Sequence, residues 1–239
     1  MMRSVRAVGM TLLAATAVVT AACTGDEGGN GGSGGDLPEA GPLVERAAAA
    51  TREIETVHFT LAVDGQVPGI SISGADGRLT KAGEVQGTAV ITVTGQPVES
   101  EFVIVGDSLY LKGPTGGFQE LPASVAASIY DPTKILDDNL GLAALVAGVA
   151  DPRVDGREDV DGVGTYRLSV TFAKNNLGVL LPGVGATADL PGRLWVTADE
   201  PNRPVKAEVE VPPSGGQQGG TVTITLSEFN APVEITPPA

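Results

Sequence analysis

Short runs in which apolar and polar residues alternate fill both flanks of one apolar stretch, and this arrangement most limits the fold. HFTLAVDG sets Phe59, Leu61 and Val63 against His58, Thr60 and Asp64. TAVITVTG sets Ala89, Ile91 and Val93 against Thr88, Thr92 and Thr94. A period of two predicts strands that bury one face each, as antiparallel sheets do. GISISG and ESEFVIVGDSLYLKG continue the pattern, and Gly106-Asp107 predicts a hairpin turn. After residue 150 the strands resume in DGREDV, GVGTYRLSVTF, GRLWVTA, PVKAEVEV and TVTITLSEF. Between the two sets, residues 122–149 read as short helical pieces broken near Pro132 and Gly141. PLVERAAAATREIETV predicts an opening helix over 42–56, and KNNLGVLL a short one over 174–181. The expected class is α+β, with nine or ten antiparallel strands and helices inserted between two strand runs.

The N-terminus precedes this domain and differs from it. Arg3 and Arg6, then the uncharged run AVGMTLLAATAVVT and Ala21-Ala22, predict an export signal over 1–22. The run is too short for a stable span. Small residues before Cys23 are similar to the lipobox of bacterial lipoproteins, although Thr20 stands where Leu is usual. That likeness implies a diacylglyceryl thioether on Cys23, further acylation such as palmitate, and attachment to the extracytoplasmic side of the cell membrane. One acyl chain holds a protein only marginally, whereas two or three hold it well. Residues 23–40 then form the lipidated Cys and a Gly-rich tether, which leaves 41–239 as a single domain. A 17-residue tether of this composition reaches about 23 Å.

Composition excludes several classes. The net charge of -14 opposes binding to nucleic acid. One Cys and one His exclude internal disulfides, a Cys-rich metal site and the usual multi-His centre. His58 reads as an exposed strand residue without an identifiable catalytic partner. DGREDVDG at 155–162 lacks the order of a calcium loop, so Asp161-Gly162 reads as a hairpin turn. Ser214 in VPPSGGQQGG is not a nucleophile elbow, and Gly183-Val184-Gly185 lacks the third glycine of a dinucleotide loop. No enzyme, metal or cofactor is therefore expected. The inward strand residues are small, and the chain has only 9 aromatics (Phe 5, Tyr 3, Trp 1). A sheet lined this way either packs tightly or leaves a void that something must occupy.

From Val57 to Pro237 the chain resembles the mycobacterial LppX/LprA/LprF/LprG lipoprotein family. The stretches that carry this resemblance, in family order, are VHFTLAVDGQVPGI, GRLTKAGEVQGTAVITV, EFVIVGDSLYLK, IYDPTKILDDNLGLAALV, GREDVDGVGTYRLSV, GRLWVTADE and TITLSEFNAPVEITPP. Phe229 stands where the family pattern suggests Trp. The resemblance implies a strongly curved antiparallel half-barrel with helices on its concave face. It implies a hydrophobic cavity there for the acyl chains of a di- or triacylated glycolipid or a triacylglyceride. It further implies transport toward the outer envelope, for an LprG-like branch beside a major-facilitator efflux pump, by a protein expected to be a monomer. In that picture Leu136, Leu140, Leu142, Leu145, Val146 and Val149 form the helical wall of the cavity, with Tyr130 and Asp131 near its start. Alternation nominates Phe59, Leu61, Ile72, Ile91, Val93, Phe102 and Ile104 for the sheet wall. The other readings are a surface lipoprotein with a filled core that binds a protein partner, and a hydrolase.

Overall fold

The computed structural model describes residues 37–67, 70, 72–93, 95–113, 116–122, 124, 131–181, 184 and 187–238. Cys23, the export signal and Tyr130 lie outside these residues. Asp36–Ala239 is one compact unit. Its first helix, α1, spans Ala40–Arg52, so it starts earlier and ends earlier than the predicted 42–56. The helix stops where the Glu53 and Ile54 N–H groups bond back to Ala50 and Thr51. Leu43, Ala47 and Ile54 have no exposed surface. Their spacings of four and seven residues set one apolar stripe against the core.

Eleven strands follow among the described residues, against the nine or ten expected. The first run is β1 Thr56–Gln66, β2 Ile72–Thr80, β3 Val85–Val93, β4 Gln96–Val105, β5 Ser108–Lys112 and β6 Phe118–Pro122. The second is β7 Ala150–Val160, β8 Val163–Phe172, β9 Leu190–Thr197, β10 Pro204–Val211 and β11 Gly219–Ser227. They form one curved, unclosed antiparallel sheet in the order β6-β5-β4-β3-β2-β1-β11-β10-β9-β8-β7. Each run is a meander with short turns, and the chain's first and last strands join the two meanders in the middle. Asp161 and Gly162 have φ of 52° and 83°, the left-handed pair that a two-residue hairpin turn requires. This turn replaces any calcium-loop reading of 155–162.

The two free edges, β6 and β7, are consecutive in sequence. Residues 123–149 must therefore run from one edge of the sheet to the other. Their described part holds a 3₁₀ turn at Pro132–Lys134 and helix α2 at Leu142–Ala147. The predicted breaks at Pro132 and Gly141 fall where these elements begin. Gly141 cannot carry a side chain, because a Cβ there would sit 2.0 Å from the Ile135 carbonyl oxygen. Helix α3, Lys174–Leu180, bridges β8 and β9. Leu43 and Ala47 of α1, Leu142, Leu145 and Val146 of α2 and Leu177 and Leu180 of α3 share one core with Leu168, Phe172, Leu194 and Val222 of the sheet. The apolar run of 136–149 thus covers the inner face of the sheet that carries it.

Candidate functional site

Cross-strand register decides which predicted sheet residues share a face. Phe59 is opposite Gly77, Gly77 opposite Gly87 and Gly87 opposite Phe102. Leu61 is opposite Ala75, Ala75 opposite Ala89 and Ala89 opposite Ser100. Ile72 is opposite Ile91 across a register shift between Ile72 and Gly74, and Ile91 is opposite Val98. Val85 is opposite Ile104. Phe59, Leu61, Ile72, Ile91, Phe102 and Ile104 therefore lie on one face, the one on which the helices pack. Val93 pairs with Gln96 in the same register; its side chain lies outside the described residues.

Burial along these rows follows a gradient. The row at one end of the strands is sealed: Val57, Leu79 and Val85 are buried, and Leu109 opposite Ile104 is buried too. One row further on, Phe59 and Phe102 are half-buried around two glycines. At the far end Ile72 and Ile91 stay half-buried and Val98 is 39% exposed. The inner face of the first meander thus has a closed floor and an opening end. Its middle is built from Gly77, Gly87, Ala75, Ala89 and Ser100, residues too small to fill the space a curved sheet encloses.

The helical residues differ. Leu136, Leu142, Leu145 and Val146 are 4%, 7%, 4% and 2% exposed. They sit in the packed core with α1 and the second meander. Val149 is half-buried against that core. Leu140, expected on the same wall, instead stands 47% exposed. The Asp137 carboxylate accepts hydrogen bonds from the N–H groups of Asn139 (2.8 Å) and Leu140 (2.9 Å), and this Asx turn carries Leu140 outward before α2 begins.

The crossing segment is tied to the floor. Lys81, after β2, donates to the Arg52 carbonyl at 2.9 Å and lies 3.1 Å from Asp138 and 3.6 Å from Glu55. The hydrogen bond to Asp138 holds the Lys81 ammonium above its usual range, against a partial desolvation that lowers it. Asp131 caps the 3₁₀ turn by accepting from the Thr133 N–H (3.2 Å) and hydroxyl (2.6 Å). Those Thr133 bonds, with Lys134 at 3.3 Å, hold its carboxyl below the usual range.

Sequence reasoning missed the partners of His58. Its Nδ1 is 3.0 Å from the Ser227 hydroxyl and its Nε2 is 3.2 Å from Asp76. The three stand on neighbouring strands β11, β1 and β2, on the outer face. All three strands are internal to the sheet. The contact ties three strands together. No cluster of three or more metal-ligating side chains occurs among the described residues. Two clefts lie elsewhere. One of about 430 Å³ opens on the outer face over β1–β4, and of the predicted lining residues Phe102 alone borders it. One of about 340 Å³ lies around Asp161, Arg203 and Phe229. Phe229, at the position where Trp was expected, carries the Arg203 guanidinium 5.4 Å from its ring centre.

The comparisons agree with this architecture. The lipoarabinomannan carrier protein LprG of Mycobacterium tuberculosis is 30% identical over 230 residues, covering 96% of this chain and 94% of the relative. Its namesake from Mycolicibacterium smegmatis is 32% identical over 231 residues, covering 95% and 94%. The crystal structure of LprF from Mycobacterium bovis superposes with a TM-score of 0.73 at 28% identity, over 86% of this chain and 100% of LprF. LppX of Mycobacterium tuberculosis shares the fold, with a TM-score of 0.61 at 20% identity over 82% and 97% of the two chains. The family model described as LppX_LprAFG lipoprotein matches residues 39–235, and the chain belongs to that family.

Proposed function

We propose that this protein is a lipid-carrier lipoprotein that shelters the acyl chains of a di- or triacylated glycolipid on the inner face of its first meander. The observation that carries this is the burial gradient. Apolar residues at Phe59, Leu61, Ile72, Ile91 and Phe102 face inward yet keep accessible surface, over the row of Val57, Leu79, Val85 and Leu109 that is closed. The carrier names of the LprG relatives support the same reading.

The energetics suit a carrier without a chemical step. Exposing a sixteen-carbon chain to water costs about 12 kcal/mol at about 0.8 kcal/mol per CH₂. Two chains make spontaneous desorption negligible, whereas moving them from a bilayer to an apolar face is close to neutral. The carrier needs a face, a mouth and a tether. In this account residues 1–22 are the export signal, Cys23 holds the anchor, 23–40 are the tether and 41–239 the binding domain, on the extracytoplasmic side. Delivery runs toward the outer envelope, beside an efflux pump of the major-facilitator type.

Transfer between vesicles tests this. Donor vesicles carry the full chain and a self-quenched diacyl glycolipid; acceptor vesicles carry neither. Catalysed dequenching that Ile91→Trp abolishes supports the carrier. Transfer at the spontaneous rate, with wild-type protein folded and anchored, overturns it.

A further inference from the structure

The 430 Å³ cleft on the outer face of the first meander is not used by acyl binding on the inner face. It owes its shape to two glycines. Gly77 and Gly87 face each other on β2 and β3, and a Cβ on Gly87 would lie 2.2 Å from the Asp76 carbonyl oxygen and 2.8 Å from the Gly77 Cα. Only bare backbones can approach this closely on the inner side. The outward side chains beside these glycines line the cleft.

Those side chains include Asp76, Arg78, Gln86, Thr88, Glu101 and Phe118. The charged groups among them already have neighbours. Asp76 lies 3.2 Å from the His58 ring nitrogen, Arg78 pairs with Glu228 and Glu101 pairs with Lys112. What is left for a ligand is the Gln86 amide, the Thr88 hydroxyl, the spare lone pairs and N–H groups of the ion pairs, and the ring of Phe118. An anion would meet Asp76 and Glu101, a cation Arg78 and Lys112, and an apolar guest would strand all of them. A neutral polyhydroxylated guest satisfies them: its hydroxyls donate to carboxylates and accept from amide and guanidinium, while its C–H face stacks on the aromatic ring.

We propose that this cleft binds a neutral glycan, the carbohydrate head of the same glycolipid whose acyl chains the inner face shelters. Its source rests on the carrier reading; its chemistry does not. Phe118 opens β6, the edge strand, opposite Lys112 at the end of β5. Phe118 and Lys112 lie level with Glu101, on the side of the cleft nearer the open end at Val98, so a glycan leaving the mouth turns the β6 edge to reach the cleft.

The test uses the full chain in lipid nanodiscs, with α-mannose and arabinofuranose oligosaccharides as probes and saturation-transfer NMR as the readout. A diacyl fluorescent probe is titrated in parallel. Phe118→Ala is expected to weaken oligosaccharide binding about five- to tenfold, as loss of one aromatic contact does. Thr88→Lys, which charges and fills the cleft, is expected to abolish it. Both should leave acyl-probe binding within about twofold of wild type. Oligosaccharide binding unchanged in both variants overturns the glycan site, as does no binding by wild-type protein. Glycan binding by a protein that takes up no acyl probe overturns the inner-face reading and leaves the glycan site standing.

Discussion

The two meanders share a sheet, a register and an antiparallel ladder, yet they end differently. In β7–β11 five large inner residues are closed over, with Leu168, Phe172, Leu194, Val196 and Val222 keeping 0–1% of their surface, while Ala207 and Ile224, nearest to β1, stay half-buried. At Gly192 of that meander the Phe172 ring lies 2.6 Å from where a Cβ would be, closer than the 3.2 Å of Phe59 at Gly77. In β1–β6 the glycines Gly77 and Gly87 sit side by side, and the flanking phenylalanines Phe59 and Phe102 stay half-buried. The helices α1, α2 and α3 pack with the second meander and the floor of the first. The second meander is mostly closed core; the first, above its floor, keeps core-like residues half-buried. A sheet becomes a carrier when side-chain volume is withheld from one stretch of it while the rest is packed enough to hold the shape.

The comparison can be broken most sharply from the packed side. Phe172→Ala should cost about 3–5 kcal/mol of stability, read by chemical denaturation, because nothing can collapse into the space. Leu145→Ala, buried in α2, should cost about 2–5 kcal/mol by the same assay. On the open side, Phe102→Ala should cost less than about 1.5 kcal/mol, since its ring is only partly desolvated. If Phe102→Ala destabilises as much as Phe172→Ala, the two halves are equally packed and the distinction fails.

The ties of the crossing segment sharpen it further at smaller scale. Asp131→Ala should cost about 1 kcal/mol by removing the cap of the 3₁₀ turn. The Asp131 carboxyl is lowered in the folded state, so its contribution is present above the unfolded value of 3.8 and is lost as pH falls through the folded one. Lys81 is raised, so its contribution is present below the unfolded value of 10.5 and is lost as pH rises through the folded one. Neither window touches neutral pH, and the two groups predict flat stability from about pH 5 to 9. Leu140→Ser, at an exposed turn, should change stability by less than about 0.5 kcal/mol.

Much of this was legible in the sequence. Period-two alternation located the strands and put Phe59, Leu61, Ile91, Phe102 and Ile104 on one face, because a pleat leaves only two choices. The bulge between Ile72 and Gly74 could have reversed one strand; Ile72 nevertheless comes opposite Ile91. The apolar run at 136–149 announced a cover. Its periodicity did not reveal that Leu136, Leu142, Leu145 and Val146 are packed while Leu140 points out, since the Asp137 turn breaks the helical spacing just before α2. The partners of His58 come from 18 and 169 residues away, and no local pattern encodes such a meeting. The small residues Gly77, Gly87, Ala75 and Ala89 were visible as composition, and only pairing aligns them into rows.

The most direct test of the central claim is lipid extraction and mass spectrometry of the full chain purified from an actinobacterial host, beside Ile91→Trp and Leu61→Trp. An indole at Ile91 occupies the open inner face away from the packed half, and one at Leu61, beside Ile224 of β11, fills it at the boundary between the two. The expected result is that wild-type protein carries multi-acyl lipid that is not covalently attached, and that both variants lose most of that lipid while their unfolding midpoints stay close to wild type. Equal lipid in all three proteins, or none in the wild type even after incubation with glycolipid, would contradict it.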